Sequence, residues 1–504
     1  MKNQKCMKQI FLLSLIAGLG LLAASSVTAQ TFTNLYNFTA LTGANSDGAG
    51  PSSGLILSGN TLYGTASGGG IGGNGTIFSV NANGSNFTTL HNFNTFSNTF
   101  SDGEVNSDGA DPQAGLVLSG NTLYGTTSEG GNGGSGTIFS VNTNGSNFMT
   151  LHNFTTLNLD SNNYNISTNS DGAYPQARLI LSGSTLYGTA IYGGIWGSGT
   201  IFSVNTNGSN FTTLHIFTAV NYTNSDGEEP WGGLILSGNT LYGTALYGGS
   251  SGYGTVFAIN TNGANFTTLH NFTALTRNGG FYTNSDGAYP YAGLILSGST
   301  LYGTASQGGI GGYGTIFSVN TNGSNFMTLH NFTALTWNGV SNTYTNNDGA
   351  KPQNGLILSG STLLYGTASE GGIWNSGTIF SVNTNGSNFI TLYDFTGGYI
   401  PDPDTDLILS DNTLYGTGDD DGSNGSGLVF SLSLPVPSLG ITPSGNQIIL
   451  SWPTWAPNFS LQTTTNLASS TWSAVFPAPV TVNGQNTVTN SMSGTQQFYR
   501  LISD

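Results

Sequence analysis

The sequence predicts an all-β protein: a seven-bladed β-propeller closed by its own N-terminal strand, followed by a small β-sandwich. Each of seven Leu-Tyr-Gly-Thr tetrapeptides lies among short runs of Ile, Leu, Val, Phe, Tyr and Thr that Gly and Asn separate, which is typical of strands and turns. No segment has both the length and the 3.6-residue period of an amphipathic helix. A recurring internal repeat favours one repeat architecture over several unrelated domains. The tetrapeptides begin at Leu62, Leu123, Leu186, Leu241, Leu301, Leu364 and Leu414.

One repeat is predicted to form four strands, which we call a to d. In the clearest repeat, strand a covers 294–297 and a two-residue turn leads into strand b at 300–305. A glycine-rich loop connects strand b to strand c at 315–319. The Asn322-Gly323 pair favours a tight turn into strand d at 326–332. Four antiparallel strands are the unit from which a propeller blade is built.

The strand d copies are offset from the other strands, and this offset predicts how the propeller closes. Six of the strand c segments are followed by a strand d, but the last one, 428–431, continues into Leu434-Pro-Val-Pro437. The missing copy is found at the other end of the chain, as Phe32–Phe38. An N-terminal strand that completes the last repeat removes an exposed sheet edge. The alternative, an open β-solenoid, does not require such a displaced strand.

The recurring sequence motifs resemble those of a known family of repeats. Leu-Tyr-Gly-Thr, a glycine-rich step, Gly-Thr-Ile/Val-Phe and a terminal Leu-x-x-Phe are similar to the GloVer-type tandem repeat of secreted bacterial proteins. The resemblance extends over about residues 31–433. It implies export and a propeller-like repeat fold, but it implies no established activity and supplies no catalytic residues.

Residues 1–29 are predicted to be a secretory signal peptide. Three lysines precede an apolar run at 10–24, and small residues at 27–29 offer a cleavage site. The alternative is a membrane anchor, for which this run is shorter than the roughly 20 residues that span a bilayer. We therefore expect a secreted or bacterial cell-surface protein with no membrane insertion after the signal is removed.

Removal of the signal leaves a strongly acidic chain. It takes away the single cysteine and three of the seven basic residues, so four basic residues remain against 23 acidic ones, a formal net charge of −19. Such a surface repels nucleic acid, so we expect no nucleic-acid partner. It is compatible with neutral glycans and with divalent cations. We expect the propeller to cover residues 30–435 and the mature protein to be a monomer.

The pattern changes in residues 436–504, which are predicted to form the small β-sandwich. Alternating runs separated by turn residues indicate five strands. The module resembles the fibronectin-III-like end modules of secreted bacterial proteins, and we expect Trp452 and Trp472 in its core. The predicted strands are Gln447–Trp452, Phe459–Thr463, Trp472–Val475, Thr487–Thr489 and Phe498–Leu501.

Acidic residues recur in the crossovers that connect strand d to the next strand a. They sit in Asn-Ser-Asp-Gly or a close variant, and Asp171, Asp226 and Asp286 are candidates for contact with a ligand. The alternative is a turn whose carboxylate accepts nearby backbone N–H groups. Asp419–Asp421 replaces a glycine-rich loop in the last repeat only, so it is either a calcium site or a solvated acidic loop. No other cofactor is expected.

The histidines occupy one position of strand d in different repeats. Because strand d is expected at the outer edge of each blade, they cannot converge on one metal ion, and we interpret them as packing residues. No histidine is expected near a serine or aspartate partner, so the sequence predicts no nucleophilic catalytic site. The five are His91, His152, His215, His270 and His330.

Aromatic residues that depart from the repeat are the strongest ligand-binding candidates. Flat exposed rings suit the apolar faces of sugars, while Asn, Ser and Asp supply hydrogen bonds. The alternative is that these rings fill gaps between blades or cap the central channel. The candidates are Tyr192, Trp196, Trp231, Tyr247, Tyr253, Tyr313 and Trp374.

The function expected from these observations is non-catalytic recognition. The ligand would be an extracellular polysaccharide or a surface protein, bound through the b–c loops and the crossovers, because variable loops on a rigid scaffold usually carry binding. One alternative is a carbohydrate-active enzyme that uses loop carboxylates. A second is a structural component of the cell surface.

Overall fold

The structure, a computed structural model, describes most of the chain beyond the predicted signal peptide. Outside the described residues lie the predicted signal peptide at 1–29, the Pro-Asp-Pro-Asp variant of the crossover motif at 401–404, two aspartates of the predicted calcium loop at 420–421, and the turn that Asn483-Gly484 predicts. The chain divides into two units, one of residues 31–434 and one of residues 435–502. No helix in the described part is long and apolar enough to cross a membrane. The described ranges are 30–41, 45–97, 105–160, 163–218, 223–396, 405–419, 422–453, 459–467, 471–482, 485–491 and 496–503.

The described part of the first unit contains seven four-stranded antiparallel sheets, numbered 1 to 7 along the chain, each with the strand order a-b-c-d. Strand a is Ile56–Ser58, Val117–Ser119, Ile180–Ser182, Ile235–Ser237, Ile295–Ser297, Ile357–Ser359 and Ile408–Ser410. Strand b is Thr61–Ala66, Thr122–Thr127, Thr185–Ala190, Thr240–Ala245, Thr300–Ala305, Leu363–Ala368 and Thr413–Gly418. Strand c is Thr76–Asn81, Thr137–Asn142, Thr200–Asn205, Thr255–Asn260, Thr315–Asn320, Thr378–Asn383 and Leu428–Ser433. Strand d is Thr88–Asn92, Met149–Asn153, Thr212–Ile216, Thr267–Asn271, Met327–Asn331 and Ile390–Asp394, with Thr31–Asn37 in sheet 7.

Strand d carries a β-bulge at the same place in every sheet. In sheet 5, Ile316 pairs with His330 and the next residue, Phe317, pairs with Thr328, so Leu329 has no partner across the ladder. Sheet 7 shows the same shift around Leu35, although its strand d comes from the other end of the chain. A bulge adds twist and redirects side chains. In sheet 5 the residue that follows the unpaired leucine is His330, and the bulge sets the direction of its side chain.

The Leu-Tyr-Gly-Thr motif is explained by the packing of neighbouring sheets. Leu62 and Tyr63 are buried, Leu62 in the cluster between sheets 7 and 1 and Tyr63 in the cluster between sheets 1 and 2. A Cβ on Gly64 would lie 2.6 Å from Cζ of Phe78, so only glycine lets this ring cross strand b. The Thr65 hydroxyl donates to the carbonyl of Ala114 in the next sheet at 3.1 Å.

The connections sort onto two faces of the first unit. Ala110 in a crossover and Glu129 in a b–c loop exchange two backbone hydrogen bonds of 2.8 and 3.0 Å. The c–d turn pairs instead with the a–b turn, as in the 2.8 Å bond from Thr143 N to Asn121 O. The crossovers and b–c loops therefore share one face, which we call the loop face. Among the described residues, three crossovers contain hairpins: Asn158–Asp160 with Asn163–Thr168, Thr276–Asn278 with Phe281–Thr283, and Thr336–Asn338 with Thr343–Thr345.

The part of the second unit that the structure describes contains two sheets that share one core. Trp452 is 2% exposed in this core with Leu450, Leu461 and Val488. Trp472 is only half-buried, and the guanidinium of Arg500 lies 4.3 Å from its ring centroid. One sheet has the strands Gly440–Ser444, Gln447–Pro453, Gln485–Ser491 and Val480–Val482, and the other has Ser473–Ala474, Phe459–Thr464 and Phe498–Ser503.

Candidate ligand-binding site

The crossovers hold one variable side chain each in a fixed backbone conformation. The residue before the crossover proline has a positive φ of 53° to 59° in Asp111, Tyr174, Glu229, Tyr289 and Lys351. A residue before proline normally adopts an extended conformation, so this left-handed backbone requires support from its surroundings. The support is a backbone hydrogen bond to the b–c loop of the preceding sheet, for example 2.9 Å from Glu229 N to Ser198 O. The scaffold therefore presents side chains of differing chemistry, two of them tyrosines, at an equivalent place before sheets 2 to 6.

In sheets 3 to 5 these groups meet aromatic residues of the b–c loops. Tyr192 packs edge-on against Tyr174, with ring centroids 5.8 Å apart. Tyr247 packs edge-on against Tyr289 at 5.4 Å, and Tyr253 contacts the same Tyr289 ring at 5.5 Å. Tyr192 and Tyr247 each remain 37% exposed, so both offer ring surface to a ligand.

Glu229 lies between these aromatic pairs. The indole Nε1–H of Trp231 donates to Oε2 of Glu229 at 3.2 Å, and the Trp231 ring lies 4.7 Å from that of Tyr291. Burial raises the pKa of Glu229, and the bond from Trp231 partly offsets this. The loop-face patch consists of Tyr174, Tyr192, Glu229, Trp231, Tyr247 and Tyr289.

The patch keeps its tyrosines neutral. Burial, and then the negative charge of Glu229, raise the pKa of both Tyr192 and Tyr247. Burial and the adjacent Glu229 also raise the pKa of Glu228. Neutral phenols both donate and accept hydrogen bonds, whereas a carboxylate only accepts them. The patch thus combines apolar rings with hydroxyl groups and one carboxylate.

The other predicted aromatic residues lie elsewhere on the loop face. Trp196 and Trp374 are about half exposed, at 49% and 50%, in the b–c loops of sheets 3 and 6. Tyr313 packs 5.6 Å from Phe281, which belongs to a crossover hairpin that the sequence did not predict. Of the seven predicted rings, the structure brings Tyr192, Trp231, Tyr247 and Tyr253 into one region.

The geometry argues against a ligand role for Asp171, Asp226 and Asp286. Their exposed fractions are 6%, 5% and 5%. Each carboxylate accepts a backbone N–H from a threonine just after strand d, at 3.0 to 3.2 Å, and the hydroxyl of the same threonine. The alternative, a turn that satisfies local donors, accounts for these contacts.

The expectation that no histidine lies near an aspartate is wrong. Each of the five histidines has Nε2 at 2.9 to 3.0 Å from Oδ2 of a crossover aspartate. Each ring also stacks at 3.7 to 3.9 Å on a phenylalanine of the next sheet. We call these contacts the His–Asp locks; they lie in separate sheets and do not converge on one reactive centre. The pairs are His91 with Asp108, His152 with Asp171, His215 with Asp226, His270 with Asp286, and His330 with Asp348.

The segments that lead into strand a of all seven sheets, with strand a itself in sheets 2 to 7, line one cavity of about 640 Å³, which we call the channel. Gln113, Gln176, Trp231, Tyr291 and Gln353 line it directly after the crossover prolines, at the end nearest the loop face. Among the described residues, no group of three or more His, Cys, Asp or Glu side chains is placed to hold a metal ion. Of the predicted calcium loop, the structure describes Asp419 and leaves the next two aspartates outside.

These features define an all-β repeat protein in which consecutive four-stranded sheets carry variable loops on one face. The model of the Gloeobacter/Verrucomicrobia repeat matches residues 16–166, 100–284 and 281–442, and the chain belongs to this family. The match confirms the GloVer-type resemblance, while the fibronectin-III-like character of the C-terminal unit remains a prediction. No curated protein matches the chain.

Solved structures that are similar to this chain include two bacterial proteins. One is TolB from Acinetobacter baumannii, with 13% identity, a TM-score of 0.33, and coverage of 64% of this chain and 60% of that one. The other is a puromycin-hydrolyzing peptidase of Mycobacterium tuberculosis, with 10% identity, a TM-score of 0.44, and coverage of 82% and 61%. The chain thus spans less than two thirds of each of these proteins.

Proposed function

We propose that this protein is a secreted, non-catalytic recognition protein that binds a neutral extracellular glycan through the loop-face patch. The proposed scaffold is a closed seven-bladed β-propeller, with sheets 1 to 7 as its blades. In this arrangement the strand Thr31–Asn37 completes the last blade, next to the first. The patch would then lie beside the mouth of the central channel.

Contacts between sheet 7 and sheet 1 support closure of the ring. The Thr417 hydroxyl donates to Ser53 O at 3.1 Å, as Thr65 does to Ala114 between sheets 1 and 2. Phe38, which follows the N-terminal strand, packs edge-on against Phe78 at 5.3 Å. The contact that joins consecutive sheets is therefore repeated between the last and the first.

The observation that carries the proposal is the grouping of Tyr192, Tyr247 and Trp231 around Glu229. The C–H groups of a pyranose ring pack well on aromatic faces, which is a large source of binding energy for a neutral polar ligand. The Glu229 carboxylate can accept hydrogen bonds from adjacent sugar hydroxyls, and bonds to a charged acceptor contribute about 1.5–3 kcal/mol. The formal net charge of −19 without the predicted signal favours neutral over anionic polymers.

The raised pKa of Glu229 keeps one other function in consideration. A buried carboxyl group with a raised pKa is what a glycosidase uses as its general acid. Such an enzyme also requires a second carboxylate across the bound sugar. Glu228, the adjacent residue in the chain, is the candidate for this second carboxylate. Hydrolysis is therefore the second candidate function, and the appearance of shortened products distinguishes it from binding.

Binding of the purified protein, residues 30–504, to a polysaccharide panel tests the proposal. The panel contains a xylan, a mannan and a β-glucan as neutral polymers, with pectate and alginate as anionic ones. We expect retention on one neutral polymer, unchanged polymer length and no retention on the anionic ones. Release of shortened products would make the enzyme the better account. Retention on none of the neutral polymers would overturn glycan recognition.

A further inference from the structure

One position inside the channel carries charge in only two of the seven sheets. Two residues before strand a, five sheets have glycine, whereas sheet 3 has Arg178 and sheet 7 has Asp406. A Cβ on Gly115 would lie 3.0 Å from the carbonyl oxygen of Gly54 and 3.5 Å from Cδ of Arg178. The glycines thus let adjacent backbones approach closely and leave the channel to the side chains of Arg178 and Asp406. The glycines are Gly54, Gly115, Gly233, Gly293 and Gly355.

Arg178 has no hydrogen bond or ion pair with any residue that the structure describes. The Arg178 side chain keeps access to water through the channel, although protein surrounds it on most sides. This surrounding protein lowers the pKa of Arg178, whereas attraction from Asp406 raises it. Asp406 accepts a 2.7 Å bond from Gly355 N through Oδ1. A guanidinium has five N–H donors in a planar fork that matches a carboxylate. These donors are available to a ligand.

The walls around this pair have the chemistry of a sugar site. Gln176 and Gln353 line the channel with amide groups that donate and accept hydrogen bonds. The Trp231–Tyr291 pair supplies an aromatic wall. The volume of about 640 Å³ lies within the range of about 300–1,000 Å³ that is usual for small-molecule pockets.

We propose that the channel binds a small sugar acid with one carboxylate, which pairs with Arg178 while Asp406 accepts a hydroxyl group. A single arginine in the channel accommodates one carboxylate. A polyanion would be repelled by a chain with a formal net charge of −19 without its predicted signal, so the ligand is a monomeric sugar acid. Trp231 belongs to both sites, but the preference for a carboxylate rests on Arg178 and Asp406, so it is tested separately from glycan binding at the loop-face patch.

Calorimetric titration of residues 30–504 with D-galacturonate and D-glucuronate tests this site, with galactose and glucose as uncharged counterparts. We expect one uronate to bind at least about ten-fold more tightly than its neutral counterpart, the difference that one charge-assisted pair can supply. Arg178→Gln should abolish this preference and Arg178→Lys should retain part of it. Asp406→Asn should increase the preference for the uronate over its neutral counterpart, because a repelling carboxylate is removed while the loss of the hydroxyl acceptor affects both sugars alike.

Arg277→Gln is the matched control, since Arg277 is exposed on the hairpin strand Thr276–Asn278, away from the channel-lining residues. It should leave uronate affinity unchanged. Thermal unfolding of every variant establishes that it is folded, and Arg178→Lys and Asp406→Asn test the site if Arg178→Gln does not fold. Absence of uronate binding at millimolar concentrations, or a uronate preference that Arg178→Gln or Arg178→Lys leaves intact, would overturn the proposal.

Discussion

The Nε2 atom of His330 lies 3.0 Å from Oδ2 of Asp348, a carboxylate that the crossover brings back after 18 residues. The same histidine ring stacks on Phe389 of the next sheet at 3.8 Å. One side chain thus joins its own strand d, the crossover and the neighbouring sheet. Sheet 7 makes an equivalent contact with tyrosine, since the hydroxyl of Tyr36 donates to Asp47 at 2.8 Å.

Replacement of His330 tests the structural role of the locks. His330→Ala should lower the free energy of unfolding by about 2 kcal/mol, because it removes a donor to a buried carboxylate together with the stacking on Phe389. His330→Tyr should cost less than about 1 kcal/mol, because Tyr36 fills the equivalent place in sheet 7. Chemical unfolding of both variants gives the comparison. Equal destabilisation by Ala and Tyr would contradict the lock.

Acid should weaken the locks. Burial raises the pKa of Asp348, but the hydrogen bonds from His330 and Thr333 outweigh it, and the net pKa lies below its usual range. A carboxyl group whose pKa is lowered by folding stabilises the protein above its unfolded pKa of about 3.9, and this stabilisation is lost as the pH falls through the folded pKa.

Unfolding measured between pH 6 and pH 2 should therefore show a loss of stability that begins near pH 4. Asp348→Asn should lower stability at pH 6 and should reduce this dependence, because one linked proton is removed. An unchanged pH slope in Asp348→Asn would contradict the assignment. Asp286 should behave in the same way, since its pKa is also lowered despite its burial.

The glycine of the repeated tetrapeptide should not tolerate a side chain. A Cβ on Gly64 would meet Phe78 at 2.6 Å and Leu55 at 2.9 Å, so Gly64→Ala should destabilise by about 1–3 kcal/mol through overpacking. Gly280→Ala is the control, because a Cβ there has no atom within 4 Å. It should be neutral or slightly stabilising. Similar melting temperatures for both variants would refute the packing role of Gly64.

Glu229 should contribute to glycan affinity without being required for the fold. Glu229→Gln keeps the size and the left-handed backbone but removes the charge, so the affinity should fall by about ten-fold, the effect of one charge-assisted bond. The melting temperature should change little. In the enzyme alternative, the same substitution would abolish product formation while binding persists, so measuring binding and product together separates the two functions.

The repeat explains why strand b was predicted with correct bounds and the locks were not. Strand 300–305 is fixed by a motif that occurs seven times. The lock depends on a crossover whose length varies, so the aspartate lies 11 residues after His215 but 19 after His152. With such variable spacing, the sequence gives no sign that histidine and aspartate meet.

The candidate site could be predicted only in part for two physical reasons. Tyr192 and Trp231 interrupt the repeat and are visible as aromatic departures, but Glu229 and Tyr289 lie before prolines, where a left-handed backbone is unexpected. Arg178 departs from a glycine position of the repeat, so a search for charged departures would have identified it. A charged residue at a repeat position that is otherwise glycine is therefore as informative as an aromatic departure from the repeat.

The affinity of the double variant Tyr192→Ala/Tyr247→Ala for the retained neutral glycan tests recognition through the loop-face patch most directly. Its matched control is Gln307→Ala, because exposed Gln307 occupies the equivalent b–c loop position in sheet 5 and makes the same backbone pairing. We predict that the double variant binds at least about ten-fold more weakly, from the loss of two aromatic contacts, while Gln307→Ala binds like the wild type. Unchanged affinity in a folded double variant would contradict recognition through this patch.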